Sequence, residues 1–195
     1  MNILKKSLAG GVLAFSLLSA NAFADFVVDN KQSSVFFIST KNINVSEIHH
    51  FKSIEGAMEK DGKFSLDINL ASVETGIEIR NTRMQEQLFK VESFPKAHVA
   101  ATLPAEVLAL DKGQSLHIQL PATLSLMGID KALSLDLVIN KTVDEQYVVT
   151  SAQPVLIAAA DVGLKEGVEI LQKLAGLSSI SLTVPVSFNL VLNKH

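Results

Sequence analysis

Ile180-Ser181-Leu182-Thr183-Val184-Pro185-Val186-Ser187-Phe188-Asn189-Leu190-Val191-Leu192 alternates along nearly its whole length, and it sets the period by which the rest of the chain is read. Its even positions are all apolar, while Ser181, Thr183, Pro185, Ser187 and Asn189 take the odd ones. A period of two is that of a strand with one apolar face. Read as one strand, the stretch spans roughly 40 Å at about 3.3 Å per residue, which is long for a sandwich. Working outward, Leu116, Ile118, Leu120, Ala122, Leu124 and Leu126 follow the same rule, and after a turn around Gly128-Ile129-Asp130-Lys131 the apolar set resumes as Leu133, Leu135, Leu137 and Ile139. That pattern predicts a long hairpin. Phe64, Leu66, Ile68 and Leu70 form a further set of one parity. Between Val45 and Met58 the alternation breaks, because Ile48 and Ile54 share one parity and Val45 and Phe51 the other, so a bulge or bend is expected there. Long strands with sparse turns and no crossover helices suit a tilted antiparallel barrel, whose closure also protects its strand edges.

Two short stretches read as helices on this all-β framework. Helix formers cluster from Arg80 to Phe89 before Phe94-Pro95 stops them, and Leu164, Val168, Leu171 and Ala175 recur at helical spacing, with Gly176 placed to end the turn. Both are expected to act as lids or plugs.

The chain has 195 residues, 48% hydrophobic, 19% charged and 6% aromatic, with no Cys. That composition excludes disordered, collagenous and disulfide-stapled classes. Lys5 and Lys6, an apolar run from Leu8 to Leu18 and the exit Ala22-Phe23-Ala24 make a secretory leader over residues 1–24, with cleavage expected before Asp25. The run is well short of the roughly 20 residues of a membrane-spanning helix, and without a Cys no acyl chain is attached there, so a protein of the periplasm or exterior with no stable membrane anchor is expected. Beyond the leader, 15 Lys and Arg stand against 20 Asp and Glu, a net charge of −5. No basic face for nucleic acid follows from that balance. Residues 25–195 make one domain, large enough for a substantial core or a lined cavity.

The motifs of several chemistries are missing. There is no Gly-x-Ser-x-Gly elbow and no Gly-rich phosphate loop, and nucleophilic cysteine chemistry is impossible. His49 and His50, flanked by Glu47, with His98 and His117 elsewhere, are the candidates for a metal site or general base. Neighbours on a strand point to opposite faces, so surface or locally hydrogen-bonded histidines are the expectation. Asp67 and Asp136 fall on the polar parity of their strands and read as solvated. The two arginines, Arg80 and Arg83, fall close together. Their rigid forks suit an anionic or planar oxygen group at a cavity mouth, and equally a helix start paired with Glu78 or Glu86.

In chain order, several strings resemble the YceI-like family of periplasmic polyisoprenoid-binding proteins. The resemblance lies in Phe26-Val27-Val28-Asp29 with Ser33, Val35 and Phe37; in Ser72-Val73-Glu74-Thr75-Gly76, Arg80-Asn81, Leu88-Phe89 and Phe94-Pro95; and in Leu124-Ser125-Leu126-Met127-Gly128-Ile129-Asp130-Lys131. Gln32 and Lys41 stand where the family often has His, and Asn81 where it usually has Asp. The resemblance implies an antiparallel lipocalin-like eight-stranded barrel with one or two short helices, a lumen for a long isoprenoid such as a quinone or polyprenyl lipid, and no catalysis or required cofactor. On this reading Phe37, Phe64, Leu66, Ile68, Leu124, Leu126, Phe188 and Leu190 form the tunnel wall, and Arg80, Asn81 and Arg83 the mouth. The expected state is monomer or homodimer. Two alternatives stand beside it: a filled barrel that displays a surface to a protein partner, and an enzyme using His49 or His50 with a metal. The carrier and the filled barrel divide on whether the aliphatic side chains meet across the barrel axis, and the enzyme would be marked by stoichiometric metal lost together with activity on mutating His49 or His50.

Overall fold

A computed structural model describes residues 24–195; the leader expected over residues 1–24 lies outside them but for Ala24. The C-terminal alternating stretch forms β12 (Thr183–Lys194), with Val184, Val186, Phe188, Leu190 and Leu192 turned inward. The other strands are β1 (Ala24–Val28), β2 (Ser34–Lys41), β3 (Val45–Phe51), β4 (Ile54–Glu59), β5 (Lys63–Asn69), β6 (Val73–Glu74), β7 (Lys96–Thr102), β8 (Ser115–Leu126), β9 (Ile129–Lys141), β10 (Tyr147–Ser151) and β11 (Val155–Ala158). They make a closed antiparallel barrel of eight staves. Four staves are each interrupted once, as β1/β2, β3/β4, β5/β6 and β10/β11, while β7, β8, β9 and β12 run unbroken. Each stave pairs with the next in sequence, and β12 closes the ring through Phe188↔Val35 and Leu192↔Val28. The circuit β12–β1–β4–β5–β7–β8–β9–β10 is closed by pairing all round, while β6 and β11 each pair on one side only.

The hairpin β8–β9 is tighter than expected. Only Met127 and Gly128 form the turn, both with left-handed backbone (φ 52° and 74°), and pairing resumes at Leu126↔Ile129. Two left-handed central residues match the twist of the flanking strands, so Ile129, Asp130 and Lys131 are strand and not turn. The expected break near residue 50 falls at Lys52-Ser53: Phe51 faces the lumen in β3, and Ile54, three residues on, faces inward in β4. The parity change is the bend.

Helices close both ends. At one end, α1 (Glu78–Arg83) continues as a wider turn through Leu88, where the Phe89 amide donates to the Met84 carbonyl at 2.9 Å. It packs against α3 (Lys165–Leu174) so closely that a Cβ on Gly167 would lie 2.8 Å from the Gln87 carbonyl oxygen. α3 ends as its sequence predicts, with Gly176 at φ +63° and amides of Gly176 and Leu177 returning to the carbonyls of Lys173 and Gln172. At the other end α2 (Ala105–Leu108) was not legible in the sequence, because four residues are too few to show helical spacing. It follows Pro104 and is anchored by fully buried Val107. No described helix is long and apolar enough to cross a membrane.

Candidate functional site

The barrel is not filled. Its inward side chains leave a cavity of about 210 Å³, and every residue around it is apolar or, in the case of Tyr147, presents a ring. The wall extends along β12 from Val184 to Leu192, about 26 Å of strand at ~3.3 Å per residue. An apolar cavity of about 150 Å³ already stays dry and accepts a small hydrocarbon. The Tyr147 hydroxyl does not interrupt the oily surface, because it donates to the Val107 carbonyl at 3.3 Å and its ring packs edge-on to Phe26 at 4.9 Å.

The structure places Phe37, Phe64, Leu66, Ile68, Leu124, Leu126, Phe188 and Leu190 all on this wall. Their parity agrees with this placement, since inward positions of a barrel strand differ by two. Of the groups that close the ends, those at one end come from the two helical stretches expected as lids or plugs, and only the approach to α2 at the other end was missed. Leu88 and Phe89 come from the turn after α1, Leu164 and Val168 from the α3 region, and Leu103 from the approach to α2. The spacing of Leu164, Val168 and Leu171 showed an apolar helical stripe but not what it faces. Phe89 joins the aromatic layer of the lumen, 5.9 Å from Phe51, which is 5.5 Å from Phe37.

The expected mouth residues do not line the cavity. Arg80 donates from Nη1 to Glu47 Oε2 at 2.8 Å and from Nη2 to the Thr75 carbonyl at 2.5 Å, so its ion-pair partner is neither Glu78 nor Glu86. Glu47 lies 33 residues away and meets Arg80 only because β3 passes beside α1, which local spacing cannot reveal. Glu47 also takes Lys41 Nζ at 2.7 Å. The Lys41 hydrogen bond and the Arg80 charge hold its carboxyl below the ordinary value, against the opposing effect of burial. Arg83 donates to the Leu174 carbonyl at 3.4 Å and so ties α1 to the C-terminus of α3, where a cation is favoured.

The histidines divide. His98 and His117 sit on the outside with Asp67 at 2.7 Å and Asp136 at 2.5 Å. These partners replace the purely solvated faces expected for the two carboxylates. His50 is exposed, while His49, on the opposite face, is 2% exposed and 2.8 Å from Ser39 Oγ through Nε2. Burial, and then the Arg80 charge, lower its pKa, so the ring is neutral at neutral pH. Among the described residues no three His, Asp or Glu side chains gather as a metal site.

The model of the YceI-like domain matches residues 26–192. The chain belongs to the YceI-like family. A polyisoprenoid binding domain from Saccharophagus degradans implicated in plant cell wall breakdown is 34% identical, with a TM-score of 0.85 over 88% of this chain and 99% of that one. BcnA of Burkholderia cenocepacia shares the fold at 18% identity and a TM-score of 0.66, over 84% of this chain and 98% of that one. No curated protein matches the chain.

In this YceI-like barrel the segment from Ser72 to Asn81 is a hydrogen-bonded knot beside the lumen. Asn81 Oδ1 accepts from the Thr75 amide at 2.9 Å and the Thr75 hydroxyl at 2.6 Å, while its Nδ2 donates to Glu74 Oε1 at 3.1 Å. Only an amide supplies both an acceptor and a donor here. Asn81 is therefore matched to Glu74 and braces the turn into α1. Gln32, likewise, donates to Asp29 Oδ2 at 2.8 Å in the excursion between β1 and β2.

Proposed function

We propose that this protein binds a long isoprenoid, such as the tail of a quinone or polyprenyl lipid, or a similar amphiphile, and shields it in the aqueous periplasm without catalysing a reaction on it. The observation that carries the reading is the cavity of about 210 Å³ whose wall is apolar throughout. Each methylene taken out of water contributes roughly 0.8 kcal/mol, so one five-carbon unit contributes on the order of 4 kcal/mol before ordering costs. A branched aliphatic tail is held by area alone. The wall's aliphatic character, with rings concentrated in the Phe37, Phe51 and Phe89 layer, suits such a tail. The 34% identical polyisoprenoid binding domain supports the same class of ligand. Export to the periplasm rests on the leader with its cleavage before Asp25, and a monomer or homodimer is sufficient, since the cavity is complete within one chain.

The test is lipid extraction and mass spectrometry of protein purified from its native compartment. The expected result is an isoprenoid in stoichiometric amount. Protein that emerges empty and also refuses prenylated quinone analogues would end the proposal.

A further inference from the structure

The barrel wall has a seam between β9 and β11. β10 pairs with β9 only as far as Ser151↔Leu137, and β11, which continues its stave, pairs with β12 alone. Where the stave breaks, its register against β12 shifts from Thr150↔Asn189 to Val155↔Val186. Among the described residues, 129–135 of β9 therefore pair with β8 on one side and with no strand on the other.

The backbone shows what each lip of the seam carries. In an antiparallel strand the amide and carbonyl of one residue point to the same side, and those of the next residue to the opposite side. The Ala152 amide donates to the Asp136 carbonyl at 2.8 Å, so Ser134 and Ala132, of the same parity, turn their groups into the seam. The Ala159 amide donates to the Leu182 carbonyl at 2.7 Å, so Leu156 and Ala158, of the other parity, turn theirs away from β12 and also into the seam. The prolines agree. Pro121 stands opposite Ser134 and Pro185 opposite Leu156, positions at which no amide is needed between the paired strands.

Over the seam lies a surface groove of about 280 Å³, and Leu133 and Val155 line both this groove and the apolar cavity. Side chains, and not a ladder of hydrogen bonds, part the cavity from solvent here. Lys131 Nζ reaches Asp161, in the turn after β11, at 2.7 Å, and because both groups are partly exposed this latch holds the lips only weakly. The barrel ends are held more firmly. Gly167 has no room for a Cβ against Gln87 and Leu88, and Val107 is fully buried with Tyr147 donating to its carbonyl.

We infer that the seam between β9 and β11 is a lateral portal through which an isoprenoid tail enters and leaves the cavity, as Leu133 and Val155 turn aside and the Lys131–Asp161 pair parts. The inference rests on the lipid-binding reading and adds the route to it. Passage through the side breaks no strand pairing, whereas passage through either end would unpack a buried helix contact. A peptide strand is the poorer occupant of these edges, because Pro154 and Lys131 guard them and β11 is only 4 residues long.

The chain has no Cys, so a single introduced thiol can carry a bulky polar maleimide at a chosen site. Ser134→Cys and Leu156→Cys place it on the two lips, where both residues are exposed; Ile79→Cys on α1 and Glu106→Cys on α2 place it over the ends. Uptake and release of squalene and of a prenylated benzoquinone are timed with a fluorescent apolar dye, and the affinity is read at equilibrium. Labels on the lips are expected to slow uptake and release together by roughly tenfold or more at unchanged affinity, with labels over the ends having no effect. Lip labels that slow exchange no more than end labels overturn the portal. Failure of unlabelled wild type to take up either probe overturns the cavity reading instead. Hydrogen exchange of wild type gives a second measure that needs no variant. The amides of Ala132 and Ser134 should exchange much faster than those of Leu133 and Leu135, which turn towards β8, and equal protection would reject the seam as an opening.

Discussion

Refilling the emptied barrel should stabilise it by an amount that the cavity itself sets. The perturbation is extraction of any bound lipid, followed by titration with squalene or a prenylated quinone. An apolar void costs a protein about 24 cal/mol per Å³, so 210 Å³ corresponds to roughly 5 kcal/mol of packing that the empty fold forgoes. A tail that fills half of the space recovers about 2.5 kcal/mol. In a domain of this size each kcal/mol moves Tm by about 2–4 °C, so half-filling is worth about 5–10 °C and complete filling about twice that. Calorimetry of the extracted protein with and without ligand at saturation measures the shift. The companion variant is Ala97→Phe, because Ala97 is buried on the cavity wall and a ring there takes the ligand's place. It should abolish the ligand-induced shift. A rise of less than about 2 °C in wild type, or an undiminished rise in Ala97→Phe, would refute the argument that the tail occupies this space.

Three further outcomes follow from the end-closing elements. Asn81→Asp removes the donor to Glu74 and sets a second carboxylate beside it, so denaturation at pH 7 should show a loss of about 1 kcal/mol or more that narrows below pH 4; equal stability at pH 7 would contradict the assigned hydrogen bonds. Lys52, then Asn81 and the Gly76 amide, lower the Glu74 pKa from 4.5 to about 2. A folded-state value below the unfolded one gives a stabilisation fully present above pH 4.5 and lost as the pH falls towards 2, so Glu74→Gln should flatten the acid limb of a stability–pH curve in that window, and an unchanged slope would count against it. Gly167→Ala puts a Cβ 2.8 Å from Gln87 O and Leu88 Cα, so it should cost about 1–3 kcal/mol and raise hydrogen exchange in residues 84–91, whereas a neutral result would mean that α3 can withdraw freely.

Much of the barrel is written along the chain in a form that local reading can recover. The even positions of β8 and β12, the odd positions of β9 and the set Phe64, Leu66 and Ile68 announce strands of one apolar face, and Gly176 announces the end of α3. Alternation is a property of adjacent residues, and so it survives without knowledge of what the strand will touch. The same reasoning predicted a bulge or bend between Val45 and Met58, and it falls between Phe51 and Ile54, where one extra residue reverses the parity. The contacts near α1 were harder to read. Arg80 was noticed for its chemistry, yet its partner Glu47 comes from a strand 33 residues earlier, and alternation put His49 and His50 on opposite faces without telling which of the two would be buried.

What the sequence determined by itself, then, is the apolar face of each long strand, the existence of the long hairpin and the larger helical stripe, since these depend on backbone geometry within a few residues. Only the tertiary structure decided that four of the eight staves break, that α2 packs at one end, and that the inward side chains stop short of one another. A void is the difference between a barrel's radius and the reach of all its side chains together, and no single strand carries that sum.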